Sequence, residues 1–191
     1  DKGREYLDCV NNISHVGHSH IKIHTAMVQQ NLKLNTNTRY LYKIINDYSK
    51  KLLSKFPKQL NTVFFVCTGS EANDLAYRIA QNYTNATDVI VMDNAYHGHT
   101  NTLIDLSPYK FQGKGGLGKK NYVHIADMPD GLRGKWRYSD KDWIKKYILQ
   151  VNSITDEIYK NNKKLSCFFV ESILGCGGQV VLPPKYLTEV F

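Results

Sequence analysis

Thr68-Gly69-Ser70-Glu71-Ala72-Asn73 lies between an apolar run, Val63-Phe64-Phe65-Val66, and a segment whose apolar residues recur at helical spacing. That order reads as the end of a strand followed by the start of a helix. The first N–H groups of a helix have no intrahelical partner and carry partial positive charge, so they favour an anion. A glycine there lets a ligand approach the backbone, and a serine adds a hydroxyl donor. Gly69 and Ser70 are therefore candidate phosphate-binding residues. A purely structural alternative stays open, because Ser70 followed by Glu71 also suits a helix cap.

Ala72, Leu75, Ala76, Ile79, Ala80 and Tyr83 fall at helical spacing, and a second apolar run, Val89-Ile90-Val91-Met92, follows. Strand, helix and strand then form one βαβ unit. A right-handed crossover places both strand-end loops on one edge of the sheet, where open parallel sheets bind ligands. The second loop, Asn94-Ala95-Tyr96-His97-Gly98-His99, offers Tyr96, whose ring can stack on a planar heterocycle. A phosphate site beside an aromatic ring suggests pyridoxal phosphate.

A third strand reads as Cys167-Phe168-Phe169-Val170-Glu171, with Gly175 and Gly177-Gly178 behind it. Together with Gly69-Ser70-Glu71-Ala72-Asn73 and Tyr96-His97-Gly98, it resembles the class III pyridoxal-phosphate aminotransferase family nearly end to end. The phrases Asn11-Asn12 with His15-Val16-Gly17-His18, Asn35-Thr36-Asn37-Thr38-Arg39-Tyr40-Leu41 and Ser107-Pro108-Tyr109-Lys110-Phe111 are most similar to its phospho-lyase branch.

The resemblance implies a three-layer αβα fold with a mostly parallel sheet, the large domain of fold type I. Residues 1–55 would be an N-terminal segment, part of the small domain and the dimer contact, and residues 56–191 the first part of the cofactor-binding domain. It implies pyridoxal 5'-phosphate held by Gly69, Ser70, Tyr96, His97 and Glu171. Gly69 and Ser70 would take the phosphate, Tyr96 would stack on the ring, and Glu171 would organise the ring-side network. Arg39 would bind a substrate phosphate, although a surface ion pair is an equal reading of it.

No catalytic residue is assigned within the chain. The family's Schiff-base lysine and pyridine-nitrogen aspartate are expected beyond residue 191, so the chain reads as a fragment. The implied activity is elimination of phosphate and ammonia from a phosphorylated amine by a homodimer. The alternatives are an alanine-glyoxylate-like transaminase and a catalytically inactive member that acts by binding. Cys176 stands where many transaminases of the family carry a substrate-gating glutamate, which favours the lyase. Leu174 replaces a glutamine that commonly contacts the cofactor. The resemblance implies a mitochondrial location, with the cytoplasm as the alternative.

Composition constrains the remaining classes. Of the 191 residues 42% are hydrophobic, yet no apolar run approaches the roughly 18 residues of a membrane helix. The net charge of +8 invites nucleic acid, but the basic pairs Lys50-Lys51, Lys119-Lys120, Lys145-Lys146 and Lys163-Lys164 are scattered. Neither nucleic acid nor a membrane is expected as a partner. Cys9, Cys67, Cys167 and Cys176 lack metal or redox spacing, and Cys67 and Cys167 read as small core residues in strands. His15, His18, His20 and His24 lack a companion Asp or Cys at a convincing offset, so no metal is expected.

Gly113-Lys114-Gly115-Gly116-Leu117-Gly118-Lys119-Lys120 nearly spells a P-loop, but it lacks the final Ser or Thr and a strand follows it. The periodicity further predicts a short strand at residues 6–10, helices at 20–32 and 41–53, a strand at 122–126, a long helix at 140–159 and a buried strand at 165–171. A last helix is expected after Pro183-Pro184.

Overall fold

The computed structural model describes residues 2–9 and 14–191. The chain divides into two compact units, Asp1–Val63 and Phe64–Phe191. The first holds helices α1 (Ile21–Lys33) and α2 (Lys43–Leu53), close to the expected positions, and neither buries a residue. The strand expected at residues 6–10 is not formed over its described part, 6–9. Val10, Asn11 and Asn12 lie outside the described residues.

The second unit runs α3 (Gly69–Thr84), β1 (Asp88–Met92), α4 (Asn101–Asp105), α5 (Pro108–Phe111), β2 (Val123–Ala126), α6 (Trp143–Lys160), β3 (Leu165–Phe169) and α7 (Tyr186–Val190). Its sheet has the order β2-β1-β3 and is parallel throughout, with Val89 opposite Val123 on one side and Cys167 on the other. The central strand is buried along its whole length. A strand covered on both faces needs apolar residues at every position, as Val89 to Met92 supply.

Alternate residues of β1 enter two separate cores. Ile90 and Met92 pack with Tyr147, Val151 and Ile158 of α6 and Tyr186 of α7. Val89 and Val91 pack with Tyr77 of α3, Leu103 of α4 and Phe111 of α5. Two cores on opposite faces of one sheet make the three-layer αβα sandwich that the family resemblance implied.

At the start of β1 the buried Asp88 carboxylate meets His124 Nε2 at 2.8 Å and Lys163 Nζ at 3.0 Å. Both neighbouring strands are thus tied at their N-terminal ends by a carboxylate with its charge matched.

Several expectations are corrected. Residues 63–66 form no strand among the described residues, and Phe64 and Phe65 are 65% and 47% exposed. The expected βαβ unit therefore lacks its first strand among the described residues. Cys67 is consequently exposed rather than core.

Strand β3 stops at Phe169 and is mostly half-buried, and among the described residues it has a strand neighbour on one side only. Helix α3 buries Ser70 and Tyr77, whereas Ile79 and Tyr83 of the expected apolar stripe face solvent. Among the described residues no helix is long and apolar enough to cross a membrane. The glycine-rich stretch at 113–118 runs through turns into β2 with no helix after it, which rules out P-loop geometry.

Candidate functional site

Helix α3 begins with a capping box: Glu71 N–H donates to Thr68 Oγ1 at 3.0 Å, and Thr68 N–H donates back to Glu71 Oε2 at 3.0 Å. Cys67 N–H adds a second bond to that oxygen at 2.7 Å. Capping therefore belongs to Thr68 and Glu71, which leaves the Ser70 hydroxyl for other work. It lies 3.1 Å from His99 Nδ1 and accepts from the His99 backbone N–H at 3.2 Å. Asn73 Nδ2, one turn further along α3, donates to the His97 carbonyl at 2.8 Å. The helix start and the loop after β1 are thus fastened to each other.

Gly98 permits that close approach. Its φ is +145°, and a Cβ there would sit 2.5 Å from Leu103 Cδ1 and 2.8 Å from Ser70 Oγ. Gly69 faces open space, with nothing within 4 Å of the point a Cβ would occupy. The backbone N–H groups of Gly69 and Ser70 have no protein acceptor among the described residues. An open approach at Gly69, two available amides and a neighbouring hydroxyl fit a phosphate.

Glu171 stands two residues past β3, beside the loop that follows its neighbour β1. It accepts from Tyr96 N–H at 3.0 Å and from Gly175 N–H at 2.9 Å. The carboxylate fixes the Tyr96 backbone from one side, and Tyr109 meets the ring edge-on at 6.2 Å. Tyr96 remains half-buried, so part of its ring is open to a ligand.

His97 points inward instead. It is buried, its ring meets Phe169 edge-on at 5.0 Å, and its backbone N–H donates to Ser107 Oγ at 2.9 Å. Burial lowers its pKa from 6.5 to about 4, against an opposing pull from Glu171.

The structure therefore brings Gly69, Ser70, Tyr96, His97 and Glu171 into one cluster at the C-terminal ends of β1 and β3. Arg39 belongs to the other unit, where its Nε and backbone N–H bond Asn37 Oδ1 at 3.1 and 3.0 Å. No carboxylate pairs with it among the described residues. Leu174 is a core residue, 2% exposed, bridged to Val180. No group of three potential metal ligands converges among the described residues.

Sequence reading overlooked Asn73, Ser107 and His99 as the fasteners of the loop. Asn73 sits in the quoted helix-start phrase, one turn from Ser70, and that offset is the available signal. Ser107 offers none, because its role depends on tertiary placement.

A buried neutral histidine makes stability depend on pH. Between pH 4 and 6.5 the unfolded chain binds a proton at His97 that the native state does not, so stability rises with pH through this window. Acidification toward pH 4 is expected to cost up to about 3 kcal/mol at this site. His97→Gln should flatten that part of the profile in denaturant titrations of the full-length protein, whereas parallel profiles would exclude the site as the cause.

The family description for class-III aminotransferases matches residues 1–191. The chain belongs to the class-III aminotransferase family. Members of the family are pyridoxal-phosphate-dependent enzymes, lyases or transaminases. The chain is 40% identical over its whole length to alanine--glyoxylate aminotransferase 2-like of Drosophila melanogaster and 38% identical to ethanolamine-phosphate phospho-lyase homolog 1 of Caenorhabditis elegans.

It covers 39% and 42% of those proteins, so this class-III aminotransferase chain spans about two fifths of the curated relatives it matches. A phospholyase from Arthrobacter, solved in complex with phosphoethanolamine, superposes with a TM-score of 0.84 at 31% identity. That match covers 97% of this chain and 43% of the other.

Proposed function

We propose that this chain is the part of a pyridoxal-phosphate phospho-lyase that carries the phosphate grip and ring platform, acting on a phosphorylated amine. The contact between Ser70 and His99 carries the reading, because it joins the amides of α3 to the loop bearing Tyr96. Gly69 and Ser70 hold the cofactor phosphate through their free N–H groups. Tyr96 would stack on the pyridine ring and shield that face from water. Glu171 holds the Tyr96 backbone, and neutral His97 supports the loop from beneath.

Pyridoxal phosphate, when bound, withdraws electrons from the carbon bearing the amine. With a phosphate ester on the adjoining carbon, that chemistry would allow loss of phosphate and ammonia with uptake of one water to give the carbonyl product. The likeness to the phosphoethanolamine-bound phospholyase supports this substrate class. Arg39, without a carboxylate partner among the described residues, is read as a further substrate-binding cation.

Residues 1–55 are read as part of the small domain and dimer contact, residues 56–191 as the start of the cofactor domain, and the whole protein as a homodimer. Mitochondrial names among relatives sharing 32–34% identity favour that compartment. The relative named an aminotransferase at 40% identity keeps a second reading, transamination, in view.

Phosphate release from phosphoethanolamine and phosphohydroxylysine by the full-length protein tests the choice. Stoichiometric phosphate and ammonia support the lyase, and amino transfer to a keto acid without phosphate release refutes it. Tyr96→Ala is expected to weaken pyridoxal-phosphate binding about tenfold with the fold intact, from the loss of about 1.4 kcal/mol of ring contact. Unaltered holoenzyme spectra and affinity would remove the stacking role.

A further inference from the structure

Helix α5 leaves a charge beside the candidate site that no role yet uses. Ser107 Oγ accepts from His97 N–H at 2.9 Å and donates to the Leu103 carbonyl at 2.6 Å, and Tyr109 N–H donates to the Ala95 carbonyl at 3.1 Å. The backbone of α5 is therefore fixed to the loop that carries Tyr96. From it Lys110 extends so that its Nζ lies 5.5 Å from the centre of the Tyr96 ring and 5.2 Å from that of Tyr109. Both distances fall within the range over which a cation is attracted to an aromatic face.

No carboxylate forms an ion pair with Lys110 among the described residues. Other lysines near the sheet are matched: Lys120 by Asp105, Lys135 by Asp127 and Lys163 by Asp88. Glu171 serves the same rim, but its oxygens are engaged by the Tyr96 and Gly175 N–H groups. Partial burial and Glu171 push the Cys176 thiol up, while Lys110 pulls it down.

We propose that Lys110, flanked by Tyr96 and Tyr109, is the subsite for the phosphate group of the substrate. The inference rests on the phospho-lyase reading and extends it. A phosphorylated amine bound beside Tyr96 would carry its phosphate dianion on the carbon next to the amine, within reach of a cation anchored on the same ring. An ammonium on a flexible stem, held by two phenol faces and unmatched by a carboxylate, offers three donors to phosphate oxygens. Tyr109, itself exposed, flanks the ammonium beside Tyr96. The cofactor phosphate is assigned elsewhere, to Gly69 and Ser70, and the two phosphates are therefore separable by substitution.

The test titrates inorganic phosphate into full-length holoenzyme and follows the visible cofactor band, alongside the KM for phosphoethanolamine. Lys110→Met is expected to weaken phosphate binding and raise KM at least tenfold, with pyridoxal-phosphate affinity unchanged, and Lys110→Arg to restore most of both. Phosphate titrating the variant and the parent alike, or not binding the parent, would overturn the subsite. So would a loss of cofactor affinity with phosphate binding intact, which would make Lys110 a prop for Tyr96. Lys110-dependent phosphate binding without phosphate release would uphold the anion subsite and sink the lyase reading alone. Phosphate release unaffected by Lys110→Met would do the reverse.

Discussion

Ser70→Asp in the full-length protein is expected to lower pyridoxal-phosphate affinity at least a hundredfold. Ser70 stands in the first turn of α3, is 9% exposed and has its hydroxyl directed at His99 rather than at the helix cap. A carboxylate placed there opposes a phosphate dianion at a distance of about 4 Å, where each pair of unit charges costs about 4 kcal/mol at a protein-like dielectric. Solvent at the open Gly69 side reduces that repulsion, which is why the expectation is set at a hundredfold.

Ser70→Ala separates charge from simple loss of a donor. It keeps the backbone amides and should cost about tenfold, the value of one hydrogen bond to an ion. A titration in which Ser70→Asp binds as tightly as the parent would show that the phosphate is held elsewhere.

Gly98→Ala is expected to have the largest effect on the scaffold. Its new methyl would meet Leu103 Cδ1 at 2.5 Å, Ser70 Oγ at 2.8 Å and Ser70 Cα at 3.1 Å, at a φ of +145° that side chains resist. Leu103 is fully buried and Ser70 lies in a helix, so neither can yield freely. A loss of about 2–4 kcal/mol in unfolding free energy is expected, through backbone strain and overpacking.

Because the displaced group is Ser70, cofactor affinity should fall together with stability. Chemical denaturation and cofactor titration on the same preparation check both. Unchanged values in the two assays would mean that the α3 start and the loop after β1 are not in the contact described.

How far the sequence could be read depended on whether a feature was local. Gly69 to Thr84, Asp88 to Met92, Val123 to Ala126 and Trp143 to Lys160 carry their own signals: a cap, a continuous apolar run or a helical period. The two-sided burial of β1 agrees with its four successive apolar residues.

The run at 63–66 has the same pattern, yet it forms no strand among the described residues and Phe64, Phe65 and Val66 are exposed. Apolar residues report a wish for burial, and that pattern alone does not make a strand. Helix α3 makes the same point. Its period was correct, but the sheet selected the face holding Ser70 and Tyr77 over the stripe containing Ile79 and Tyr83.

The site divides along the same line. Gly69, Ser70 and Tyr96 could be singled out from the junctions of apolar runs with Gly, Ser and aromatic residues. The bond from Tyr96 N–H to Glu171, 75 positions away, follows from β1 and β3 being neighbours in the sheet. Ser107, ten positions from His97, could not be identified before α5 was seen to fold back on that loop.

The most direct test is a crystal structure of the full-length protein with pyridoxal phosphate bound. The phosphate is expected within about 2.7–3.2 Å of the Gly69 and Ser70 amide nitrogens, with the pyridine ring stacked on Tyr96. A cofactor phosphate seated away from those amides, with Tyr96 facing solvent, would contradict the account.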